Sequence, residues 1–321
     1  MMQSITVTEY GDPSVLKLQE QQLPEPGPGQ LLVKVAATGV NYIETYQREG
    51  IYPVPLPFIP GTEYAGTVSA IGPGVSGFSE GDRVATASGD AGYAEYALAD
   101  ADKSISVPEG VDLDIAAALP LQGMTAHYLS NSAFPVQTGQ TVLTHAGAGG
   151  VGLLLTQLLK AKGATVITTV SGPEKAELAR SAGADHVLEY EGFAEEVREL
   201  TDGHGVPVVF DGVGQATFDG SLAALARRGT LVLFGAASGP VPPLDLQRLN
   251  SGGSLFITRP SLPDYTHTEE ERNWRAGELF DALRAGKLQV RIGGRYALAD
   301  AAQAHRDLQA RKTTGKLLLV P

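Results

Sequence analysis

The stretch from Thr141 to Gly163 constrains the fold of this chain more than any other part of the sequence. It begins with a short apolar, β-prone run, continues through three glycines spaced as G-x-G-x-x-G, and ends with leucines at helical spacing before Gly163, a predicted helix C-cap. A lone G-x-G-x-x-G arises easily by chance in a chain with 39 glycines. A strand, the glycines and a helix in that order are far more specific, because they form the turn on which a dinucleotide pyrophosphate binds.

Each residue of this turn has its own predicted role. Gly147 permits a tight turn, Gly149 lets the backbone approach a pyrophosphate, and Gly152 lets the helix pack close to the strand. Gly150 and Val151 begin the helix, whose N–H groups and partial positive charge favour phosphate oxygens. The alternative is a glycine-rich turn with a purely structural role.

Apolar strands alternate with helices beyond the turn, which predicts a parallel sheet covered on both faces. Strands are predicted over residues 164–170, 186–189, 206–211, 229–234 and 254–258, and helices over residues 173–182, 193–201 and 216–227. Together with the strand at 141–144 they give six strands, the number in a complete doubly wound, Rossmann dinucleotide-binding fold. We expect this domain to span residues 123–259.

The flanking regions have a different pattern. Strand-like runs over residues 30–37, 63–71, 82–87 and 92–98 are bounded by Gly and Pro, which indicates an all-β, barrel-like domain. Helices are predicted over residues 111–118, 123–130, 273–285 and 299–310, with a strand-like run at 296–298. The final apolar run, 316–320, needs a pairing partner, and we expect it in the β-rich domain. The predicted fold class is α/β, with a discontinuous domain at 1–122 and 260–321 beside the Rossmann domain.

Composition excludes several classes of site and partner. The 321 residues include no cysteine, which excludes disulfides, thiolate catalysis and cysteine-ligated zinc. A net charge of −12 disfavours nucleic acid and anionic membranes as partners. Neither a signal peptide nor an apolar run of about 20 residues is visible, so we expect a cytoplasmic protein without a membrane span.

Seven short sequence blocks occur in a fixed order along the chain, and the similarity that they carry runs over essentially its whole length. They are residues 38–46 (TGVNYIETY), 60–66 (PGTEYAG), 81–84 (GDRV), 92–96 (GYAEY), 146–152 (AGAGGVG), 210–214 (FDGVG) and 258–262 (TRPSL). Together they resemble the medium-chain dehydrogenase/reductase superfamily, and within it the zinc-free, zeta-crystallin-like quinone oxidoreductases. The resemblance implies a GroES-like β-barrel catalytic domain, a Rossmann domain, a nicotinamide cofactor in the cleft between them, and a homodimer through the edge strand 254–258.

The chain departs from the zinc-dependent relatives at their metal ligands. Asn41 stands where those relatives carry a cysteine, and Thr62 stands where a histidine is needed within Gly61-Thr62-Glu63. The cysteine-rich loop that holds a structural zinc is also missing. The resemblance therefore implies a site without a metal.

The former metal stretch supplies the first candidate residues. In the family, the positions of Asn41 and Tyr46 face the nicotinamide and the substrate pocket, and an Asn can both donate and accept hydrogen bonds. The alternative is a turn-forming Asn and a core Tyr. Tyr42 and Tyr52 are weaker candidates for the pocket wall.

Further candidates lie at the domain junction and at predicted strand ends. Gln122 and Thr125 flank the start of the Rossmann domain, although they could equally cap a helix. Arg259 follows the last strand, and a solvent-exposed charge is its alternative role. His145 could donate a proton but is better explained by packing, and Asp211 is interpreted as a turn residue. Ligands of open α/β sheets bind at the carboxyl ends of strands, which also selects Val213, Gly214, Phe234 and Gly235.

The end of the second Rossmann strand predicts a preference for NADPH over NADH. An acidic residue that would grip the ribose 2′-OH of NAD is absent there. Ser171 and Lys175 offer a hydroxyl and a cation instead, and a solvated helix position is the alternative for Lys175. Tyr190 and Arg311 match positions that contact the adenosine phosphate in similar family members.

These features together predict an NADPH-dependent quinone oxidoreductase. Asn41 and Tyr46, with Gln122 or Arg259, would hold the acceptor while the nicotinamide supplies a hydride. Two alternatives stay open: reduction of an activated C=C bond in an enone or enal, and a non-catalytic nucleotide- or RNA-binding role.

Overall fold

Fifteen strands and eleven α-helices make up the structure, a computed structural model that describes residues 1–321. The strands are β1 (Met2–Thr6), β2 (Lys17–Gln21), β3 (Gln30–Val40), β4 (Tyr64–Ile71), β5 (Arg83–Thr86), β6 (Tyr96–Asp100), β7 (Ile105–Ser106), β8 (Thr141–Thr144), β9 (Thr165–Thr169), β10 (His186–Leu188), β11 (Val206–Asp211), β12 (Leu225–Leu233), β13 (Phe256–Thr258), β14 (Ile292–Ala297) and β15 (Lys316–Val320). The helices are α1 (Tyr42–Glu49), α2 (Leu113–Ala118), α3 (Pro120–Tyr128), α4 (Gly150–Ala161), α5 (Pro173–Ser181), α6 (Phe193–Leu200), α7 (Phe218–Ala224), α8 (Gln247–Ser251), α9 (Leu262–Tyr265), α10 (Glu269–Arg284) and α11 (Ala301–Gln309). They belong to a first unit, residues 1–124, 266–286 and 290–321, and a second unit, residues 125–265 and 287–289.

The first unit is built on a seven-stranded sheet. Its order is β14-β15-β3-β4-β5-β7, with β6 also paired to β3, while β1 and β2 form a separate antiparallel pair. Most neighbours run antiparallel, and β14 is parallel to β15. β15 lies against β3, with Leu317 opposite Val40. The prediction that the last strand pairs within the β-rich region is therefore confirmed.

Helix α1 directly follows β3, with Asn41 as its N-cap residue, and no helix is predicted there from the sequence. The Glu44 side chain reaches back to accept a hydrogen bond of 2.8 Å from the Asn41 backbone N–H, which is half of a capping box. Gly50, at a φ of 76°, ends the helix in the left-handed conformation. An Asn followed three residues later by Glu, with a Gly at the far end, was the available signal. It was obscured by Tyr, Ile and Thr, which are poor helix formers.

The second unit contains a six-stranded parallel sheet in the order β10-β9-β8-β11-β12-β13. In chain order this is 3-2-1-4-5-6, the doubly wound dinucleotide-binding arrangement that the strand–helix alternation predicts. Its hydrophobic core includes Leu143, Ile167 and Val209 at 0% exposure. The predicted α/β class is confirmed.

Several predicted boundaries were wrong. The helix expected over 216–227 ends at Ala224, because Leu225 turns to extended geometry and begins β12. The helix expected from residue 123 begins at Pro120, whose fixed φ suits the first turn. The strand expected from 254 begins at Phe256, since Ser254 has a φ of 60°. β6 begins at Tyr96 instead of 92 because the preceding residues bond to loops, as when the Tyr93 N–H donates to the Pro60 carbonyl at 2.9 Å.

Helix α10 begins at Glu269, earlier than the predicted 273. Thr268 caps it, since its side chain accepts a 3.1 Å hydrogen bond from the Glu271 N–H. Its first turn contains three consecutive glutamates, 269–271, which lie outside the predicted helix. Acidic residues in a first helical turn are favoured by the helix dipole, so the charge run belongs to the helix.

Candidate active site

A buried polar cluster lies where β3 leads into α1, and we call it the Lys316 cluster. Its members are Asn41, Glu44, Thr62, Glu63 and Lys316. Glu63 is 0% and Lys316 is 3% exposed, and the Lys316 ammonium contacts both a Glu63 carboxylate oxygen and Asn41 Oδ1. Asn41 Nδ2 donates to the same Glu63 oxygen, Oε2, at 3.1 Å. Every side chain of the cluster is therefore fixed by a partner within it.

The register of β15 against β3 explains why a lysine reaches this place. Leu317 is opposite Val40, so the neighbouring Lys316 stands beside the start of α1. Gly39 leaves the space for it, because a Cβ there would come within 2.2 Å of Glu63 Oε2 and 2.6 Å of Lys316 Cε. The other Glu63 oxygen, Oε1, accepts a 2.8 Å hydrogen bond from the Leu121 backbone N–H.

Glu44 is the second carboxylate of the cluster. Burial raises its pKa to about 7, against the opposing effects of hydrogen bonds from Thr62 and Asn41 and of the Lys316 charge. Glu44 Oε1 accepts from the Thr62 N–H at 3.2 Å and from the Thr62 hydroxyl at 3.0 Å. Thr62 thus holds a carboxylate and is not directed at a metal position.

Three tyrosines form an aromatic surface on and after α1. The Tyr46 ring lies 5.4 Å from Tyr52 in an edge-on arrangement and 6.2 Å from Tyr42. The Tyr42 hydroxyl donates to the Leu308 carbonyl at 3.0 Å, whereas Tyr52 is 45% exposed. Tyr46 and Tyr52 are thus suited to line a flat ligand, and Tyr42 fastens α1 to α11.

A second buried hydrogen-bond network joins α1 to α11. Arg48 is fully buried and approaches His305 Nδ1 at 3.2 Å, while the Tyr93 hydroxyl contacts His305 Nε2 at 2.9 Å. Burial, and then the Arg48 charge, lowers the pKa of His305 to about 3, so the ring stays neutral at physiological pH. Arg48 therefore fastens α1, which carries Tyr46, to α11.

In the second unit, the glycine turn after β8 connects the strand directly to α4, and its conformation differs from the prediction in one respect. The positive φ of the turn, 56°, belongs to Ala146 and not to Gly147. A Cβ on Gly147 would come within 2.3 Å of the Thr168 hydroxyl, so glycine is required there for close approach to β9. A Cβ on Gly152 would lie 2.3 Å from the Ala146 carbonyl, so glycine is required there for the start of the helix to pack against the turn.

The remaining turn residues leave donors free at the helix start. A Cβ on Gly149 would meet nothing nearer than the Ala146 carbonyl at 3.1 Å, so its outer side is open. The first hydrogen bond within α4 runs from the Leu153 N–H to the Gly149 carbonyl at 3.0 Å. The N–H groups of Gly150, Val151 and Gly152 precede that bond and are available to an anion.

A buried hydrogen-bond network ties together the carboxyl ends of β8, β9 and β11, and we call it the Asp211 network. His145 Nδ1 lies 2.8 Å from the Thr169 hydroxyl and Nε2 lies 2.9 Å from the Ser221 hydroxyl. The Ser221 hydroxyl donates to Asp211 Oδ2 at 2.8 Å. Asp211 Oδ1 accepts from the Val213 N–H at 2.8 Å.

The network excludes His145 as a surface proton donor. His145 is 1% exposed, and burial lowers its pKa to about 4, partly offset by the Asp211 charge. The interpretation of His145 as a packing residue is therefore the better one. Asp211 is more than a turn residue, because its oxygens also accept from the Gly214 N–H and the Thr217 hydroxyl.

The loops after β11 and β12 pack directly on each other. A Cβ on Gly235 would lie 2.5 Å from the Gly212 carbonyl, and the Ser238 N–H donates to the Val213 carbonyl at 2.8 Å. Gly214 has a φ of 87°, a conformation that favours glycine. Val213, Gly214 and Gly235, with Phe234, thus form one continuous rim at the carboxyl edge of the sheet.

The candidates for the 2′-phosphate lie after β9 and β10. Lys175 Nζ donates to the Ser171 hydroxyl at 3.1 Å, so the two residues lie side by side. Tyr190 stacks on the His145 ring, with the centroids 6.3 Å apart. Arg311 belongs to the first unit, where it is exposed with a φ of 56° after α11.

The three remaining candidates are spread over both units. Gln122 is buried in the first unit and Thr125 is buried in the second, and both residues belong to α3. Arg259 is exposed, and its guanidinium donates to the Leu233 carbonyl at 3.0 Å, at the end of β12. Arg259 therefore lies near the carboxyl ends of the parallel strands, as the glycine turn does.

Comparison with known proteins agrees with both units. Residues 27–109 match the alcohol dehydrogenase GroES-like domain, and residues 150–265 match the zinc-binding dehydrogenase family. A quinone oxidoreductase of Pseudomonas aeruginosa is 46% identical over 100% of both chains. A 2-haloacrylate reductase of a Burkholderia species is 41% identical over 100% of this chain and 99% of its own. A mycobacterial protein solved as a complex with NADPH is 56% identical over 100% of both chains, with a TM-score of 0.98.

The chain belongs to the quinone oxidoreductase branch of the medium-chain dehydrogenase/reductase superfamily. As in that superfamily, a GroES-like domain accompanies a Rossmann sheet. No group of three or more His, Cys, Asp or Glu side chains is arranged to hold a metal ion. None of its helices is long and apolar enough to cross a membrane.

Three members of the Lys316 cluster were missed as functional residues of this oxidoreductase. Glu44 and Glu63 were quoted only within motifs, and Lys316 only as the first residue of an apolar strand. The available signal was the charge itself, since Lys and Glu are almost never fully buried without a partner. Pairing Lys316 with Glu63 required the register of β15, which the sequence does not give.

Proposed function

We propose that the chain is an NADPH-dependent quinone oxidoreductase that works without a metal ion. The observation that carries the proposal is the open glycine turn, which offers three backbone N–H groups at the start of α4 in a full-length member of this branch. Bound NADPH supplies the hydride, and the protein contributes binding, orientation and exclusion of water.

The residues of the second unit fit the cofactor. The N–H groups of Gly150–Gly152 and the open side of Gly149 would hold the pyrophosphate. The rim at Val213, Gly214, Phe234 and Gly235, together with Thr125, would line the remaining nucleotide. The rim is held in place by the Asp211 network, so its backbone is organised before any ligand binds.

The preference for NADPH is assigned to Ser171 and Lys175, with Tyr190 and Arg311. The Lys175–Ser171 contact of 3.1 Å brings a cation and a hydroxyl together where an NAD-binding chain would carry an acid. A phosphate accepts strongly from both groups. Arg311 and Tyr190 would add donors to the adenosine phosphate.

Replacing the cation at this position tests the preference directly. We expect Lys175→Ala to weaken NADPH about 10- to 100-fold, which is about 1.5–3 kcal/mol for a charge-assisted hydrogen bond, and to leave NADH nearly unchanged. The measurement is KM for both cofactors, with Lys162→Ala, a partly exposed lysine at the C-cap of α4, as the matched control. Equal losses for NADPH and NADH would contradict the assignment.

We assign the acceptor to Asn41 and Tyr46, with Gln122 and Arg259 as further contacts. The aromatic surface of Tyr46 and Tyr52 suits a flat quinone ring, and the Asn41 amide suits its carbonyl oxygen. The function test is oxidation of NADPH with a panel of small benzoquinones and naphthoquinones. Absence of turnover with every quinone, in protein that binds NADPH, would overturn the proposal.

Reduction of an activated C=C bond is the second candidate. It is favoured by the relationship to a 2-haloacrylate reductase at 41% identity. Such a reaction needs a proton delivered to carbon, which would give the Tyr46 hydroxyl a larger role than with a quinone. A steady-state panel of enones, enals and acrylates against quinones separates the two reactions. A binding role for RNA is disfavoured by the net charge of −12, and filter binding at low salt tests it.

We further propose a cytoplasmic homodimer formed through residues 254–258. β13 is the edge strand of the six-stranded sheet, and Phe256 on it is 59% exposed. An unpaired apolar edge promotes association, and a second copy would cover it. Light scattering of wild type and Phe256→Lys tests the assembly, since an unchanged mass in the variant would contradict this edge as the interface.

A further inference from the structure

The side-chain amide of Asn41 is held in a single orientation by two charged neighbours. The Lys316 ammonium can only donate hydrogen bonds, and it contacts Asn41 Oδ1. The Glu63 carboxylate can only accept, and it lies 3.1 Å from Asn41 Nδ2. Rotating the amide by 180° would place a donor against the ammonium and an acceptor against the carboxylate, so the reverse orientation is excluded.

This orientation leaves one N–H of Asn41 for a ligand. Nδ2 carries two hydrogens, and one is used by Glu63. The other has only the Gly39 carbonyl at 3.4 Å, close to the limit for a hydrogen bond. Asn41 is partly exposed, whereas Glu63 and Lys316 are buried, so a ligand can reach Asn41 but not the two charged side chains behind it.

The ammonium also changes the strength of that N–H. Hydrogen bonds in a chain polarise one another, by roughly 10–30% per bond in condensed-phase estimates. An amide whose oxygen accepts from a cation is a stronger donor through its nitrogen. Water does not screen this interaction strongly, because Lys316 is only 3% exposed.

We propose that Lys316, anchored by Glu63, is a positioning residue that orients and polarises the Asn41 amide toward the oxygen of the bound acceptor or cofactor. The inference rests on the proposed function, since it assigns the donor that Asn41 presents there. A purely structural role for the ion pair is the alternative, and stability measurements alone do not separate the two.

A paired replacement separates them. Lys316→Met with Glu63→Gln removes both charges, so no unpaired ion stays buried, and Gln at 63 can still accept from the Leu121 N–H. Its amide nitrogen would then face Asn41, which favours the flipped Asn41 orientation. We expect thermal stability close to wild type, together with a kcat about 100-fold lower, the scale of one lost positioned donor.

A double-mutant cycle with Asn41→Ala is the decisive test. If Lys316 and Glu63 act through Asn41, adding the paired replacement to Asn41→Ala lowers kcat by no more than about twofold. Multiplying losses, or a paired variant with full kcat, would overturn the proposal. The matched control is Lys160→Met, which breaks the half-exposed Lys160–Asp185 ion pair of the second unit and should leave kcat unchanged.

A spectroscopic readout keeps the inference testable if quinone reduction itself fails. In Asn-labelled protein, the Asn41 side-chain amide should give two widely separated proton resonances, because one N–H faces a carboxylate. The separation should collapse in the paired variant, while the other asparagine signals stay in place. A wild-type Asn41 amide that resembles a solvated asparagine overturns the proposal whatever the enzyme reduces, whereas missing quinone turnover alone overturns only the proposed function.

Discussion

Each of the two units buries a polar network beside its part of the candidate site, and the two networks differ in charge. The Lys316 cluster contains a cation and two carboxylates within one set of contacts. The Asp211 network contains one carboxylate, which accepts hydrogen bonds from two backbone N–H groups and two hydroxyls. Both networks offset the free-energy cost of burying a charge. The Lys316 cluster does so with an opposite charge, and the Asp211 network does so with neutral hydrogen-bond donors.

The difference indicates a division of labour. A carboxylate that accepts from backbone N–H groups fixes the course of a loop, here residues 212–217. In the Lys316 cluster, Lys316 and Glu63 bond to the partly exposed Asn41 amide, so they fix the orientation of a side chain instead. We therefore expect damage to the Asp211 network to appear in cofactor binding, and damage to the Lys316 cluster to appear in turnover.

Removing the cation is expected to have the largest effect. Lys316→Met leaves Glu63 buried without its counter-charge, so the free energy of unfolding should fall by about 3–5 kcal/mol. Urea denaturation measures it. Lys103→Met removes the cation of an exposed ion pair in the same unit and should cost less than about 1 kcal/mol. Equal losses in the two variants would show that the buried pair contributes no more than a surface pair.

Removing the oriented amide comes next. Asn41→Ala should lower kcat with quinone by about 10²–10³, which is the cost of a lost positioned donor, and Tyr46→Phe should lower it less. The free energy of unfolding should change little, because Lys316 and Glu63 still pair with each other in the variant. Asn273→Ala, on the exposed face of α10, is the control. Unchanged kcat/KM in both site variants would refute the assignment of the acceptor site.

The carboxylate of the second unit should give a smaller loss with a different kinetic signature. Asp211→Asn keeps the shape but exchanges one acceptor for a donor, so we expect about 1.5–3 kcal/mol of lost stability. KM for NADPH should rise more than kcat falls, since the altered loop carries Val213 and Gly214. Asp219→Asn, an 80% exposed aspartate on α7, should leave both unchanged. A loss confined to kcat would erase the proposed distinction between the networks.

The pH dependence of stability should be the smallest effect and have opposite signs in the two networks. The pKa of Glu44 is raised from 4.5 to about 7, so its contribution is complete below pH 4.5 and lost as the pH rises to 7. The pKa of His145 is lowered from 6.5 to about 4, so its contribution is complete above pH 6.5 and lost as the pH falls to 4. His305 has the same sign as His145, so single variants must be compared.

Difference curves isolate each group. Relative to wild type, Glu44→Gln should gain stability as the pH rises from 4.5 to 7, and His145→Gln should gain as the pH falls from 6.5 to 4. Melting temperatures at half-unit pH steps provide both curves. Parallel curves for the two variants would mean that one of the two protonation states is misassigned.

The second unit was far more predictable from sequence than the first. Its apolar strands and the glycine turn are encoded locally, and even the six-strand order follows from the alternation of strands and helices. The pair Ser171 and Lys175 is likewise local, one helical turn apart. Errors there were shifted boundaries, such as the early start of β12 at Leu225, and two short helices that were not predicted, α8 and α9.

The first unit depends on contacts between distant residues, which a single sequence does not specify. Asn41 was identified from its motif, but its partners Glu63 and Lys316 lie 22 and 275 residues away. Strand register decides which residues of β15 and β3 meet, and a shift by one residue would turn Lys316 to the other face. The site was therefore recognisable, whereas the means of holding it was not.

The separation of 275 residues between Asn41 and Lys316 also bears on synthesis. At about 5–20 residues per second, roughly 15–55 s pass between translation of the two residues. Until Lys316 is translated, Glu63 lacks its ion-pair partner, so exposure to water is more favourable for it than burial. The continuous stretch 125–265 of the second unit has by then been translated. We expect ribosome-bound chains that end before β15 to have a protease-resistant second unit and a cleavable N-terminal region. The buried ion pair that orients Asn41 would then form only in chains that have been translated as far as Lys316.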